Sequence, residues 1–502
     1  MAPAEPRGQT EPRTPQQYID EVPVWVDGTR VAAAHLTGMQ IRIWVLAAAG
    51  KFFEGMVVFV TGLAIPLIAR EFSLSVLGHS FVGSAILAGI LVGATSLGGL
   101  ADRFGRKRVF VGELILFMAC LVALATAPSF PFLLVSLFAV GVALGGDYPT
   151  AHLVISESMP SRNRGRLVLG AFGFQAVGAL FGVVVGYAIL STHPDIGAWR
   201  LMYASAVVPA ALVVLGRLTI TESPHWLLLM KRHDEANAAA ARLLKREPLY
   251  PKQVKLRSHV ERAQSAGGSF LSLFTSKNRR ATVLASIPWF LQDLGTYGIG
   301  IFTPTILAAT LGQKKEHATN VADLVSNDIL SARGAAFVDI FLIVGIVFAV
   351  LLVDRVGRIR LQVIGFVGCA IGLAIAAASY HVPSAISMYF IFAGFVVFNF
   401  MTNMGPNAQT YLLAGEVFPL PIRGRGAGFA ASFAKIGAVM TAFLFPILLA
   451  AIGVQALLGI LIATSLLGAA VTLLFRIETT GVDLDQIEAP DPPLPDALTQ
   501  RG

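Results

Sequence analysis

The stretch "GGLADRFGRKR", Gly98 to Arg108, decides the fold, because the chain carries it twice. It sets Asp102 and four basic residues in a short loop between two apolar runs. It returns as "LLVDRVGRIR", residues 351–360, with Asp354 in the place of Asp102 at an offset of 252 residues. A second pair follows. "ESMPSRNRGR" (157–166) returns as "EVFPLPIRGR" (416–425), keeping Glu, Pro, Arg, Gly and Arg at identical spacing and an offset of 259. Two halves that repeat in the same sense around polar loops imply parallel repeats about a central site.

The rest of the composition agrees. Of the 502 residues 55% are hydrophobic and 14% charged, with a mean hydropathy of +0.70. A soluble domain carries about 25% charged residues. Apolar runs long enough to cross roughly 30 Å of hydrocarbon recur along the chain. Twelve spans are expected, at 40–68, 78–101, 108–127, 131–158, 166–190, 199–219, 281–308, 334–353, 361–379, 385–413, 424–450 and 453–476. The fold class is an all-α membrane protein of two six-helix bundles, 36–219 and 281–476. A polar connection, 220–280, joins them, and its "KRHDEANAAAARLLKRE" (231–247) has helical composition. Residues 1–35 and 477–502, polar and Pro-rich, read as tails.

The net charge of +8 sits largely in loops on one side: 103–108, 162–166, 220–280, 354–360 and 422–425. The opposite loops "APSFP", "STHPDIGA" and "HVPS" are nearly free of Lys and Arg. The positive-inside rule puts both termini in the cytoplasm of a multi-pass protein of the plasma (inner) membrane. "MAPAEPRGQTEPRTPQQ" lacks the apolar core of a signal peptide, so the first span is expected to act as an uncleaved signal. Cys120 and Cys369 both lie in apolar runs, which argues against a disulfide framework or a zinc site. The charge pattern sets topology and implies no nucleic-acid partner.

"GGLADRFGRK" resembles the signature of the major facilitator superfamily, and "ESPHWLL" (222–228) resembles the segment after the sixth helix of its sugar-porter-like members. "GGDYPTAHLVISE" (145–157), "WFLQDLGTYGIG" (289–300) and "GPNAQTYLLAGEVFP" (405–419) resemble the proton-coupled phosphate symporters. That resemblance implies alternating access, a proton route through Asp147, and substrate contacts from Tyr148, Gln175, Trp289, Asp293, Asn407 and Lys435. Where the family carries Asp in the first span, this chain has Glu54. The family's Arg in the fourth span, suited to pair with Glu113, is missing from "LLVSLFAVGV". Either Glu113 is protonated or the proton route differs.

The residues support the same sites on their own terms. An ionisable group inside a span is costly and marks a pathway by default. The inventory is Lys51, Glu54, Glu113, Asp147, His152, Asp293, Asp339 and Lys435. Asp147 stands in "GGDYP", where desolvation favours a bound proton; a hydrogen-bonded Asp at a helix bend is the structural alternative. His152 reads as a titrating group or as packing. Trp289 and Asp293 are one turn apart and share a helix face. Lys435, alone in its span, needs a carboxylate or a substrate anion; a permanent pair with Asp293 is the structural alternative. Lys51 lies one turn before Glu54, so a local bridge competes with a proton-carrying role for Glu54. Asp339 reads as a hydrated group near an outer helix end.

The basic loops read as gates. Asp102, Arg103 and Arg106, with Asp354, Arg355 and Arg358 in the second copy, bridge helix ends and part when that side opens. Glu157 and Glu416 pair with loop arginines, among them Arg166 and Arg425. No nucleotide-binding loop, metal cluster or nucleophile triad is present in the sequence, so a monomeric transporter without cofactor is expected, not an enzyme. Its partners are protons, the bilayer and a small anion, phosphate first. The alternatives are an organic acid (an aromatic or sugar carboxylate) and a non-transporting sensor. Drug efflux is disfavoured, because "FQAVGALFGVVVG" lacks the Gly-Pro antiporter motif.

Overall fold

A computed structural model describes residues 13–21, 36–97, 100–161, 164–245, 254, 256, 270–310, 321–419 and 422–479. The described residues form no β-strand; one isolated bridge joins Arg13 and Leu256. The first half holds α1 (Gly38–Glu71), α2 (Val76–Ser96), α3 (Arg106–Ala125), α4 (Phe130–Ser158) and α5 (Arg164–Thr192), with α6 in two pieces, Ala198–Ala204 and Val207–Thr219. The second half holds α7 (Arg279–Thr310), α8 (Val321–Val356) and α9 (Arg358–Ala378). Its α10 is also in two pieces, Ser384–Met404 and Pro406–Glu416. The helix Arg423–Leu474 breaks at Gly453, whose φ of 76° suits a residue without Cβ; α11 precedes the break and α12 follows it.

Ten described helices are long and apolar enough to cross a membrane as they stand. The division at Gly453 adds one. The other is α7, which two internal prolines and Asp293 make less apolar. The pairing of helices shows the repeat. In the first half α1 packs on α5, and α2 and α3 pack on α4; six helices on, α7 packs on α11, and α8 and α9 pack on α10. Between the halves, α5 meets α8 and α2 meets α11. Gly105 and Gly357, the same position of the repeated loop, turn into α3 and α9 with φ of 102° and 96°. Only glycine takes that conformation readily.

Three sequence expectations are corrected. Part of 1–35 is built rather than a tail: Thr14 and Gln17 form a capping box on the helix Pro15–Asp20. Its Tyr18 and Ile19 are buried, and Asp20 accepts from the Ser161 backbone and hydroxyl. Glu478 and Thr479, expected in the second tail, bond to the α9 N-terminus and to Glu416. Asp339 is buried and accepts from Asn399 at 3.1 Å. Because α8 begins at Val321 and not at 334, Asp339 lies well inside the helix. The connection 220–280 contains the helices Pro224–Leu229 and His233–Leu244.

At the face opposite the basic loops, α1 and α7 come into backbone contact. A Cβ built on Gly62 overlaps the carbonyl of Ile301. Gly62→Val is therefore expected to stop the halves from closing there. Overpacking of about 1–3 kcal/mol lowers the closed population about fivefold to over a hundredfold. A spin-label pair on α1 and α7 should report the two helices moved apart; an unchanged distance would mean that this contact does not set their approach.

Candidate functional site

The site lies where the halves meet. A cavity of about 20 Å³ is lined by Lys51 and Glu54 of α1, Phe172 and Gln175 of α5, Trp289, Asp293 and Tyr297 of α7, Asn407 of α10 and Lys435 of α11. About one water fits in such a volume. The break in α10 at Gly405 starts a new helix at Pro406 and sets Asn407 in its first turn. The Asn407 amide donates back across the break to Asn403 at 2.7 Å. Trp289 and Asp293 do share a face and a cavity, as their spacing predicts.

Glu54 is the hub. Its carboxylate accepts from Lys51 at 2.5 Å, from the Tyr297 hydroxyl at 3.0 Å and from Gln175 at 3.2 Å. Lys435 Nζ is 3.9 Å away. That ammonium donates to Tyr297 at 2.7 Å and to Asp293 at 3.2 Å. Two lysines and two carboxylates thus share one buried cluster, formally neutral when all four are charged. Both pairings weighed in the sequence, Lys51 with Glu54 and Lys435 with Asp293, are made. Tyr297, which links the two, was not anticipated; nothing in "LGTYGIG" marks a tyrosine as more than a span aromatic.

A second cavity, also about 20 Å³, lies beside the first and shares Lys51, Glu54 and Phe172 with it. Asp147 and His152 of α4 and Tyr411 of α10 complete its wall. Tyr411 stacks on Phe172 with ring centroids 4.7 Å apart, and stands edge-on to both Trp289 and His152 at 6.1 Å. His152 thus packs against an aromatic plug contributed by the other half. Nothing in "NAQTYLL" (407–413) marks Tyr411 as more than a span aromatic.

Asp147 is ion-paired with Arg217 of α6, a fully buried side chain. Arg217 also donates to the carbonyls of Phe110 at 2.6 Å and Leu46 at 3.2 Å, and its guanidinium lies 3.4 Å from the Phe110 ring centroid. Glu113 packs on Gly146, beside Asp147, and accepts from Thr150 at 3.1 Å. Its Oε2 has no partner among the described residues. The cation near these two carboxylates comes from α6 and pairs with Asp147, not with Glu113. Arg217 was missed because it lies close to the predicted end of its span, where basic side chains ordinarily reach for water.

On the basic face the repeat extends to single bonds. Arg106 forks onto Glu157 and donates to the Ala101 carbonyl; Arg358 pairs with Glu416 and donates to the Val353 carbonyl. Ser223 donates to Glu157 and Thr479 to Glu416, each at 2.5 Å. Arg166 crosses from one half to Asp354 of the other at 2.5 Å. Arg103, Arg355 and Arg425 are exposed at this face. The side chains of Asp102 and Tyr148 lie outside the described residues.

The family described as "Sugar (and other) transporter" matches residues 43–490. The chain is 30% identical over 459 residues to the inner membrane metabolite transport protein YgcS of Escherichia coli K12, covering 89% of this chain and 94% of that one. It is 27% identical to a putative inorganic phosphate transporter of Schizosaccharomyces pombe, covering 90% and 88%. Among solved structures it resembles the MFS (major facilitator superfamily) proton:xylose symporter XylE, an Escherichia coli protein, with a TM-score of 0.70. There the identity is 21% and the coverage 90% of this chain and 98% of the other, a likeness of fold.

Proposed function

The chain belongs to the sugar (and other) transporter family of the major facilitator superfamily, and from that premise we propose that it imports a small anion, inorganic phosphate first, by proton symport. The observation that carries this reading is the cluster of Lys51, Glu54, Asp293 and Lys435 in one cavity walled by both halves. A neutral sugar needs hydroxyl partners and gains nothing from two buried ammonium groups. An anion does. Lys435, Gln175, Tyr148, Trp289 and Asn407 donate to its oxygens, and Asp293 accepts a phosphate hydroxyl. Relatives described as phosphate transporters support the choice.

Glu54, Glu113 and Asp147 carry the proton, with Arg217 as the fixed cation of the last two. The basic face is cytoplasmic, both termini lie there, and the membrane is the plasma (inner) membrane. The bundles 36–219 and 281–476 rock as units about 220–280, and a monomer suffices. The Arg166–Asp354 pair, which crosses between the halves, holds the basic face shut and parts as it opens, while the pairs of Arg106 and Arg358 brace the helix ends within each half. A second reading, an organic-acid symporter, has its own support: Phe172 and Trp289 offer aromatic walls to a ring-bearing carboxylate.

Asp293→Asn separates the two. Phosphate keeps a hydroxyl proton near neutral pH, and a carboxylate acceptor rewards it while sulfate leaves that acceptor unpaired. With phosphate as ligand, the variant should lose phosphate affinity and narrow the gap to sulfate. With an organic carboxylate as ligand, the variant should bind as well or tighter, since one repulsive charge is gone. Titrations of the purified variant with phosphate, sulfate and benzoate at pH 6 and pH 8 decide. Tighter benzoate binding with no phosphate binding in either form would end the phosphate reading.

A further inference from the structure

We infer that Lys51 is a second cationic ligand of the anion site, and that the Glu54 carboxylate is a built-in anion occupying the donors which the substrate must use. The inference rests on the anion reading above and deepens it. Glu54 accepts from Lys51, Tyr297 and Gln175, and Lys435 stands 3.9 Å off. That is the donor set of an oxyanion site: two ammonium groups, a phenol and an amide, converging from α1, α5, α7 and α11. In this structure a protein carboxylate fills it, and the cavity beside it holds about 20 Å³. An incoming anion therefore competes with Glu54 for the same partners.

A proton on Glu54 removes the competitor's charge. Its pair with Lys51 loses the ionic component, and the lysine can turn to the substrate. Lys51 borders both cavities, so a small side-chain rotation keeps it in the site. The charges then balance. With all four groups ionised the cluster is neutral; one proton on Glu54 makes it singly positive, and one monoanion restores neutrality. Binding of the anion and of the proton favour each other by linkage. The titratable groups facing Glu54 are Lys51 on its own helix, Asp293 and Tyr297 on α7, Lys435 on α11 and, across the shared cavity, Asp147 on α4, whose charge is offset by Arg217.

The test is ligand titration of purified wild type, Glu54→Gln, Lys51→Met and the double variant E54Q/K51M with phosphate, sulfate and benzoate at pH 6 and pH 8. Variants are compared at one pH, which cancels phosphate's own ionisation; benzoate keeps one charge across the range. At pH 8 E54Q should bind more tightly than wild type, and at pH 6 the two should bind alike. Adding K51M to E54Q should weaken binding about tenfold to a hundredfold at both pH values. K51M alone should remove most of the gain between pH 8 and pH 6. The double variant leaves no lone buried charge at this pair, which protects folding; K51Q in the E54Q background, amide against amide, is its substitute. If E54Q/K51M binds like E54Q, Lys51 is no ligand and the inference fails while the anion reading stands. If E54Q keeps the wild-type pH response, Glu54 is not the switch. Binding of benzoate without phosphate ends the phosphate reading, and Lys51 is then judged on benzoate. Wild type that binds none of the three ends both.

Discussion

Asp147→Asn is expected to abolish proton-driven accumulation of substrate in proteoliposomes while sparing counterflow exchange. An amide imitates the neutral carboxyl and cannot cycle. One pH unit across the membrane is worth about 1.4 kcal/mol, so coupling to one proton yields an accumulation ratio of about ten per unit. The variant's ratio should stay near one. Folding should survive, for two reasons. The amide oxygen can still accept from Arg217, which keeps its carbonyls of Phe110 and Leu46 and the ring of Phe110. Glu113 stands close by with an unpartnered oxygen and can balance the cation. Removing Arg217 instead would strand a buried carboxylate, a loss of about 3–5 kcal/mol. Asp147→Asn should also keep the pH dependence of ligand binding that Glu54→Gln loses, because Asp147 lines the second cavity and not the donor set around Glu54. A variant that still concentrates substrate would remove Asp147 from the coupling route.

The span pattern was legible for a physical reason. Hydrocarbon demands about 20 apolar residues per crossing, and the loops that face water are left to carry the charge. The same demand made the two lysine–carboxylate pairs legible, since Lys51 and Lys435 have no cheap alternative to a partner. Legibility ended where a residue had an ordinary excuse. Arg217 is near a helix end, Tyr297 and Tyr411 are aromatic residues in apolar spans, and Asp339 was misplaced because the start of α8 was set too late. Glu478 and Thr479 repeat Glu222 and Ser223 in space, with Lys107 N–H bonded to Glu222 as Ile359 N–H is to Glu478. Two shared residue types in a polar tail are too short a match to read as a repeat. The helix Pro15–Asp20 was hidden in the same way, in a segment whose composition outweighed one capping box.

Lys435→Ala is expected to remove high-affinity anion binding. A buried charge-assisted contact is worth about 1.5–3 kcal/mol, so affinity should fall about tenfold to over a hundredfold. The geometry argues for the upper end. Lys435 is 3.2 Å from Asp293 and 3.9 Å from Glu54, so its loss leaves two carboxylates facing the anion with Lys51 as the cation beside them. The partner that remains is already bonded to Glu54 at 2.5 Å. The variant is thus short of a donor and long by one negative charge. Pairing it with Asp293→Asn removes that excess charge and separates the two contributions. If the double variant regains affinity for sulfate but not for phosphate, repulsion was the larger part and Asp293 still served the phosphate hydroxyl. If it regains neither, the contact from Lys435 itself was the larger part. Affinity unchanged in Lys435→Ala would mean that the pair with Asp293 only ties α7 to α11 and that the anion is held elsewhere. The defect should appear at pH 6 and pH 8 alike, because no proton on Glu54 replaces a missing ammonium on α11. That separates it from Lys51→Met, whose defect grows as the pH falls and Glu54 releases its lysine.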